Sequence, residues 1–241
     1  MNPMSRRALI TSGLAAAGVA GLGVANRIAG RHGLIPPDCR GIYGPGETLT
    51  YATQRILTRH AMAREFPRSM ISNNPFANET APPSDQFKKL QAGGLSDWRL
   101  TIDGMVAHPM SLSLADLRSM PTHSQITEVA CEEGWSYVAE WIGTPLSGVL
   151  REVGVLPQAR YLKYFSIQPD WSDSIDMADA HHPQTFLTTG MNDGELPYGF
   201  GGPLRLRVPR QLGYKSVKYI TRITATDSMK FQGEYAWFAG I

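Results

Sequence analysis

The sequence predicts a mixed α+β fold in which β-strands predominate and helices are short. Several segments alternate apolar and polar side chains, as strands with one buried face do, whereas segments with helical spacing are brief. No regular alternation of strand and helix persists along the chain, as a doubly wound parallel sheet would require. Of the 241 residues, 42% are hydrophobic, which is enough for one sizeable core.

The N-terminal residues 1–25 have the composition of an export signal. Arg6 and Arg7 are their only charged residues, and the apolar, Ala- and Gly-rich run 8–25 follows directly. The adjacent arginines resemble a twin-arginine signal, with cleavage expected after Ala25. We therefore expect a periplasmic protein, or a membrane-tethered one if the segment is not cleaved.

Residues 26–95 contain little periodic pattern and many prolines and glycines. One helix is predicted at residues 49–65. We expect the rest to be an extended arm that lies over the following domain, residues 96–241.

From residue 98 onward the pattern becomes regular. Residues 98–106 alternate apolar and polar side chains and turn at Gly104, which predicts a strand. A short helix is predicted at residues 112–120, with Ser113 at its N-terminus and Pro121 ending it. Further strands are predicted at residues 126–130, 161–167, 185–189, 204–208 and 217–226, and further helical segments at residues 146–155 and 176–180.

Net charge excludes one class of partner. The formal charge is +2, and no Lys/Arg-rich run is present, so the sequence lacks the basic surface of a nucleic-acid-binding protein. Without Arg6 and Arg7 the remaining chain is neutral.

Cys131 follows the predicted strand 126–130 and precedes Glu132, Glu133 and Gly134, which indicates a soft sulfur ligand where a strand turns into a loop. A lone cysteine is most often a small buried hydrophobic residue, and that alternative applies here. The two carboxylates could transfer protons or be solvated.

The residues around Cys131 carry a family resemblance. Cys-Glu-Glu-Gly-Trp-Ser at 131–136 and Glu-Trp-Ile-Gly-Thr-Pro-Leu at 140–146 resemble the molybdopterin-binding domain of the sulfite oxidase family, particularly its small exported bacterial members, which include methionine sulfoxide reductase catalytic subunits. The resemblance implies that Cys131 is the thiolate ligand of molybdenum. It also implies a sulfite-oxidase-type α+β fold without the C-terminal immunoglobulin-like dimerisation domain of larger members, and hence a monomer.

A basic cluster near the C-terminus has the chemistry of a phosphate site. Arg205 and Arg207 lie two apart on a predicted strand and share a face, and Lys215 and Lys218 follow after a glycine. Guanidinium groups and glycine-rich backbone suit phosphate oxygens, although basic strands also occur on solvated surfaces.

The family resemblance assigns the cofactor contacts within and near this cluster. It implies that Arg205, Ser216, Val217 and Lys218 bind the molybdenum-molybdopterin cofactor, and that the Ser166 hydroxyl lies near the pterin.

The resemblance extends less closely to the segment 71–80. By this match Asn73 and Phe76 line the pterin, with Asn78 as a weaker candidate; the alternative is that Asn-Asn-Pro is only a turn. Phe200 departs from the family, which usually has a polar histidine or asparagine there.

The implied activity is oxygen-atom transfer, either sulfoxide reduction or sulfite-type oxidation. No Cys-x-x-Cys-His haem-attachment motif is present, so we expect electrons to be exchanged with a separate membrane or periplasmic cytochrome.

Two alternatives from other classes remain at this point. The chain could be an exported binding module that retains the fold without metal, or a thiol hydrolase in which Cys131 acts with His181 or His182. A disulfide between Cys39 and Cys131 would remove the metal ligand, and His181 with His182 could in principle bind zinc.

Overall fold

The computed structural model describes residues 45–58, 60–78 and 83–228. They divide between two compact units, residues 1–61 and residues 62–241. The predicted export signal and Cys39 lie outside the described residues. None of the helices within the described ranges has the length and apolar character needed to cross a membrane.

The first unit contains helix α1 (Pro45–Thr58). The hydroxyl of Thr53 donates a hydrogen bond to the carbonyl of Leu49, at 2.8 Å. The predicted helix at residues 49–65 exists but is displaced toward the N-terminus. Residues 60–65 are not helical, and Glu65, which already belongs to the second unit, forms an antiparallel bridge with Thr127 of the same unit.

The described residues of the second unit form two five-stranded sheets. The first sheet has the order β2-β1-β10-β5-β6, with strands β1 (Leu100–Gly104), β2 (Met110–Leu112), β5 (Tyr161–Ser166), β6 (Ser172–Asp176) and β10 (Ile220–Thr226). The second has the order β3-β4-β7-β8, with β9 also paired to β7; its strands are β3 (His123–Ala130), β4 (Ser136–Pro145), β7 (Phe186–Met191), β8 (Gly194–Glu195) and β9 (Arg205–Arg207). Because β1 pairs with β10 in parallel and the other pairs are antiparallel, the first sheet is mixed.

Short helices connect these strands. They are α2 (Asp85–Ala92), α3 (Leu114–Ser119), α4 (Leu146–Val153) and α5 (Met177–Ala180). Ser113 caps α3 as predicted: its hydroxyl accepts from the Asp116 backbone, while the Asp116 carboxylate accepts from the Ser113 backbone. The mixed α+β class predicted from the sequence is confirmed.

Several elements were not predicted from the sequence, among them the short strands β2 and β8. Strand β4 was not predicted because most of its side chains are buried on both faces, so it lacks alternation. Strand β6 was not predicted either. Helix α2 lies within the expected extended arm; it is polar, and Phe87 is its only buried residue.

The main hydrophobic core joins the two sheets. It includes Ile102 and Ile223 from the first sheet, Leu187 and Leu206 from the second, and Val149 from α4. A smaller cluster lies under the β3–β4 hairpin and contains Val129, Tyr137, Ala139, Trp141, Met191 and Leu196. This second cluster supports the segment that carries Cys131.

Candidate cofactor site

Cys131 lies in the turn of the β3–β4 hairpin, directly after the last residue of β3. The turn is closed by two backbone hydrogen bonds: the Cys131 N–H donates to the Trp135 carbonyl at 2.9 Å, and the Gly134 N–H donates to the Cys131 carbonyl at 3.1 Å. Gly134 has a φ of 89°, which a residue with a side chain rarely adopts. The predicted strand-to-loop position of Cys131 is therefore confirmed.

The Cys131 thiol lies among carboxylates. Its Sγ atom is 3.4 Å from Glu132 Oε2 and 3.8 Å from Glu133 Oε2, and the Trp135 indole N–H donates to Glu133 at 2.7 Å. Burial, together with the neighbouring Glu132 and Glu133 carboxylates, raises the pKa of the Cys131 thiol to about 11. A thiolate at this position thus requires a nearby cation, which a metal ion would supply.

The opposite wall is formed by the segment around β9 and the residues that lead into β10. Arg205 and Lys218 are partners in an antiparallel bridge. The Arg205 Nε donates to the Ser216 carbonyl at 2.8 Å, and its Nη1 donates to the Phe200 carbonyl at 3.1 Å. Arg205 is 3% exposed, so its guanidinium is held in one orientation.

Gly213 brings this wall close to the cysteine. A Cβ atom at Gly213 would lie 3.3 Å from the Ala130 carbonyl oxygen and 3.4 Å from the Cys131 Cα. A larger side chain would therefore push the two walls apart.

Lys218 extends along the same cavity. Its Nζ donates to Asn78 Oδ1 and to the Gly199 carbonyl, both at 2.7 Å. Gly201 lies against its aliphatic part and has a φ of 107°, so this approach requires glycine.

The two walls enclose an open cavity whose empty volume, counted out to solvent, is about 730 Å³. The lining residues are Asn78, Cys131, Glu132, Glu133, Trp135, Gln168, Trp171, Arg205, Gly213, Tyr214, Ser216, Val217 and Lys218. The structure thus brings Cys131 together with Arg205, Ser216, Val217 and Lys218, although they are far apart in sequence.

Three predicted contacts are not among these lining residues. Ser166 lines an adjoining cleft that shares Gln168 and Trp171 with the cavity, and its Oγ accepts from the Gln168 N–H at 3.0 Å. Asn73 is exposed. Phe76 packs its ring against Trp135, with centroids 5.2 Å apart. Asn78, the weaker candidate of that segment, is the one that lines the cavity.

Lys215 does not belong to the basic wall. Its Nζ donates to Asp173 Oδ1 at 2.6 Å and to the Ser174 carbonyl at 2.9 Å, and it does not line the cavity. The expectation that Lys215 contributes to the phosphate cluster is wrong, because a buried carboxylate on β6 binds its ammonium group.

Sequence reasoning missed Gln168, Trp171 and Tyr214 as lining residues. The first two lie in the loop between β5 and β6, where no periodic pattern marks them. Phe200, the departure from the family pattern, contributes through its backbone, since its carbonyl accepts from Arg205.

Neither histidine of the 181–182 pair lines the cavity. The buried His182 accepts a hydrogen bond at Nδ1 from the Gln184 N–H, at 3.2 Å. Among the described residues there is no group of three or more His, Cys, Asp or Glu side chains that could hold a metal ion. The geometry supports neither a zinc site here nor a Cys–His hydrolase, for which a thiol with a raised pKa is also unsuited.

Comparison with known proteins identifies the family. Residues 88–235 match the model of the oxidoreductase molybdopterin-binding domain. The chain belongs to this family. The predicted sulfite-oxidase-type relationship and the molybdopterin-dependent oxidoreductase class are therefore confirmed.

Similar proteins include two bacterial relatives. The YedZ1 protein of Azospira oryzae, named provisionally as a protein-methionine-sulfoxide reductase subunit, is 37% identical over 184 residues, which cover 74% of this chain and 68% of that protein. The protein-methionine-sulfoxide reductase catalytic subunit MsrP of Xanthomonas campestris is 33% identical over 218 residues, covering 84% of this chain and 65% of the relative. The chain thus spans about two thirds of the length of these relatives.

A solved structure shares the fold. The sulfane dehydrogenase SoxCD of Paracoccus pantotrophus superposes with a TM-score of 0.53 at 22% identity, covering 70% of this chain and 46% of that chain. This similarity concerns the fold alone.

The residues of the cavity fit a molybdopterin cofactor. One wall offers a soft sulfur ligand that needs a cation, and the other offers buried and partly buried positive charge for a phosphate. The cavity is open to solvent on one side, from which a substrate can approach.

Proposed function

We propose that this chain is a catalytic subunit that reduces methionine sulfoxide with a molybdenum-molybdopterin cofactor bound in the Cys131 cavity. The resemblance in the sequence left sulfoxide reduction and sulfite oxidation open. Both relatives are named as methionine-sulfoxide reductase subunits, which favours reduction.

One observation carries the proposal: the only cysteine thiol among the described residues and the Arg205–Lys218 pair line one cavity. In this arrangement Cys131 binds molybdenum. Arg205 and Lys218 bind the phosphate end of the pterin through charge-assisted hydrogen bonds, with Ser216 and Val217 between them. When bound, the cofactor supplies a redox metal for the transfer of an oxygen atom.

The protein's own part is to bind and orient the substrate beside Cys131. Trp135 lines the cavity and stacks on Tyr137, with centroids 5.9 Å apart and planes at 7°. Its other neighbour is Phe76, which is 53% exposed. Aromatic faces of this kind favour the sulfur and methyl groups of a methionine side chain. Trp135 therefore forms the apolar side of a substrate site, with Phe76 and Tyr137 packed against it.

Reduction of one sulfoxide consumes two electrons and two protons and releases water. We propose that the electrons come from a separate cytochrome, on the membrane or in the periplasm. The sequence of residues 1–25, with Arg6 and Arg7 before an apolar run, supports export to the periplasm by the twin-arginine pathway.

The test is an assay of the full chain purified from a host that makes molybdopterin. With a reduced viologen dye as electron donor, we expect reduction of methionine sulfoxide, both free and within a peptide. Sulfite with ferricyanide as electron acceptor serves as the opposing substrate. The Cys131→Ser variant is the matched control and should lack activity.

Faster turnover of sulfite than of sulfoxide would contradict the proposed direction. Full activity in Cys131→Ser would contradict the proposed metal ligand.

A further inference from the structure

Arg207 on β9 is completely buried, yet its hydrogen-bond partners are all neutral. Its Nη1 donates to Ser216 Oγ at 3.1 Å. Its Nη2 donates to Thr127 Oγ1 at 3.2 Å and to the Glu128 carbonyl at 2.6 Å, while its Nε has no hydrogen-bond partner. Within residues 45–58, 60–78 and 83–228, no carboxylate forms an ion pair with this guanidinium.

A charge buried among neutral groups is unfavourable unless another charge compensates it. Burial and the nearby Arg205 lower the pKa of Arg207 to about 9, so the guanidinium remains charged at neutral pH. Both guanidinium groups lie over the Trp141 ring, with Cζ 5.4 Å from the centroid for Arg205 and 5.0 Å for Arg207. Two buried positive charges are therefore close together, with Arg205 in the cavity wall and Arg207 behind it.

Ser216 connects Arg207 to the cavity. It lines the cavity, and the two arginines hold it from both ends: Arg205 donates to its carbonyl at 2.8 Å and Arg207 to its hydroxyl. The Ser216 Oγ also accepts from the Val208 N–H at 3.1 Å. Because both lone pairs of this hydroxyl accept hydrogen bonds, its proton is available for donation.

We propose that Arg207 is a positioning residue for the anion bound in the Cys131 cavity. It fixes Ser216 in the cavity wall and supplies buried positive charge that the anion balances. The identity of this anion as the cofactor's phosphate rests on the proposed function. The inference that the cavity binds an anion at all rests only on the burial and the contacts of Arg207.

The test compares the full chain produced in a molybdopterin-competent host with the full chain produced in a deficient one. Arg207→Met removes the charge at similar length. After dialysis, we expect the molybdenum and pterin content of this variant to be lower than that of wild type by about tenfold or more. We expect its cofactor-free form to melt at the same temperature as the wild-type cofactor-free form, or higher, because an uncompensated charge has been removed.

Two variants serve as controls. Arg207→Lys keeps the charge and should restore most of the cofactor retention. Arg222→Met removes a half-exposed guanidinium of the first sheet, where Arg222 pairs with Asp103. This variant should retain the cofactor. A purely structural role for Arg207 predicts instead that Arg207→Met lowers the melting temperature of both forms equally, and this result would overturn the proposal.

Inorganic pyrophosphate separates this proposal from the proposed function. It should raise the melting temperature of the cofactor-free wild-type chain, and this shift should be lost in Arg207→Met. If wild type bound no cofactor, the proposed function would fail, but the pyrophosphate comparison would still decide the role of Arg207. An equal shift in wild type and Arg207→Met would refute that role.

Discussion

Lys215 and Lys218 are three residues apart, but their ammonium groups have different environments. Lys215 forms an ion pair with the buried Asp173, whereas Lys218 lines the cavity and contacts Asn78. The first lysine is therefore expected to stabilise the fold and the second to bind the cofactor.

We predict that Lys215→Met lowers the free energy of unfolding by about 3 kcal/mol at neutral pH, since it leaves the Asp173 carboxylate buried without a partner. Burial already raises the pKa of Asp173 despite the lysine. A carboxyl group whose pKa is raised in the folded state disfavours folding at pH values where it is ionised. The difference in free energy of unfolding between Lys215→Met and wild type should therefore shrink as the pH falls and Asp173 becomes protonated. Denaturant unfolding of wild type and Lys215→Met at several pH values measures this difference in free energy.

Lys218→Met is the matched comparison. It should change stability by about 1 kcal/mol or less but reduce cofactor retention roughly tenfold, because it removes a charge from the cavity wall. If Lys215→Met released the cofactor from an otherwise stable protein, the separation of roles would be wrong.

Single residues were predictable only where a motif marked them. The residues that follow Cys131, and the basic cluster near the C-terminus, identified Cys131 and Arg205 as candidates that the structure brings to one cavity. Spacing could not distinguish Lys215 from Lys218, because the partner of Lys215 lies on a distant strand. The sequence did not indicate Trp171 as a lining residue of the cavity, because residues in loops follow no hydrophobic periodicity.

At the scale of elements, the cavity depends on two turns that bring distant strands together. One is the β3–β4 turn with Cys131, and the other is the segment 198–204 that precedes β9. In the second turn, Gly201 has a positive φ and contacts Lys218. A side chain here would strain the backbone and displace the lysine.

We predict that Gly201→Ala lowers the free energy of unfolding by about 1–3 kcal/mol and weakens cofactor retention. An added Cβ would lie 2.8 Å from the Lys218 Cγ. Gly148→Ala in helix α4 is the matched control: the nearest atom to its Cβ would be 3.8 Å away, and we expect this variant to be stabilised by about 0.5–1 kcal/mol. Equal effects of the two substitutions in thermal unfolding would argue against this role of Gly201.

Elements with one buried face were the predictable ones. Strand β1 alternates clearly, and Ser113 caps α3 as the sequence indicates. Strand β4 was missed because tertiary packing buries both of its faces. Helix α1 was placed too far along the chain because its polar sequence leaves the boundaries undefined.

At the scale of the molecule, the two sheets share one core, and the cavity lies where the β3–β4 hairpin of one sheet meets the loops that lead to β6 and β10 of the other. The number and type of elements were sufficient to predict the α+β class. The parallel pairing of β1 with β10 was not predictable, because local patterns carry no information on which distant strands pair.

The central claim is that the Cys131 sulfur binds molybdenum in a cavity whose other wall holds the pterin. It is tested most directly by the metal content of the full chain purified from a molybdopterin-competent host, measured by inductively coupled plasma mass spectrometry for wild type and Cys131→Ser. We predict about one molybdenum per chain in wild type and almost none in the folded variant. Equal molybdenum in the two proteins, or none in wild type, would contradict the account.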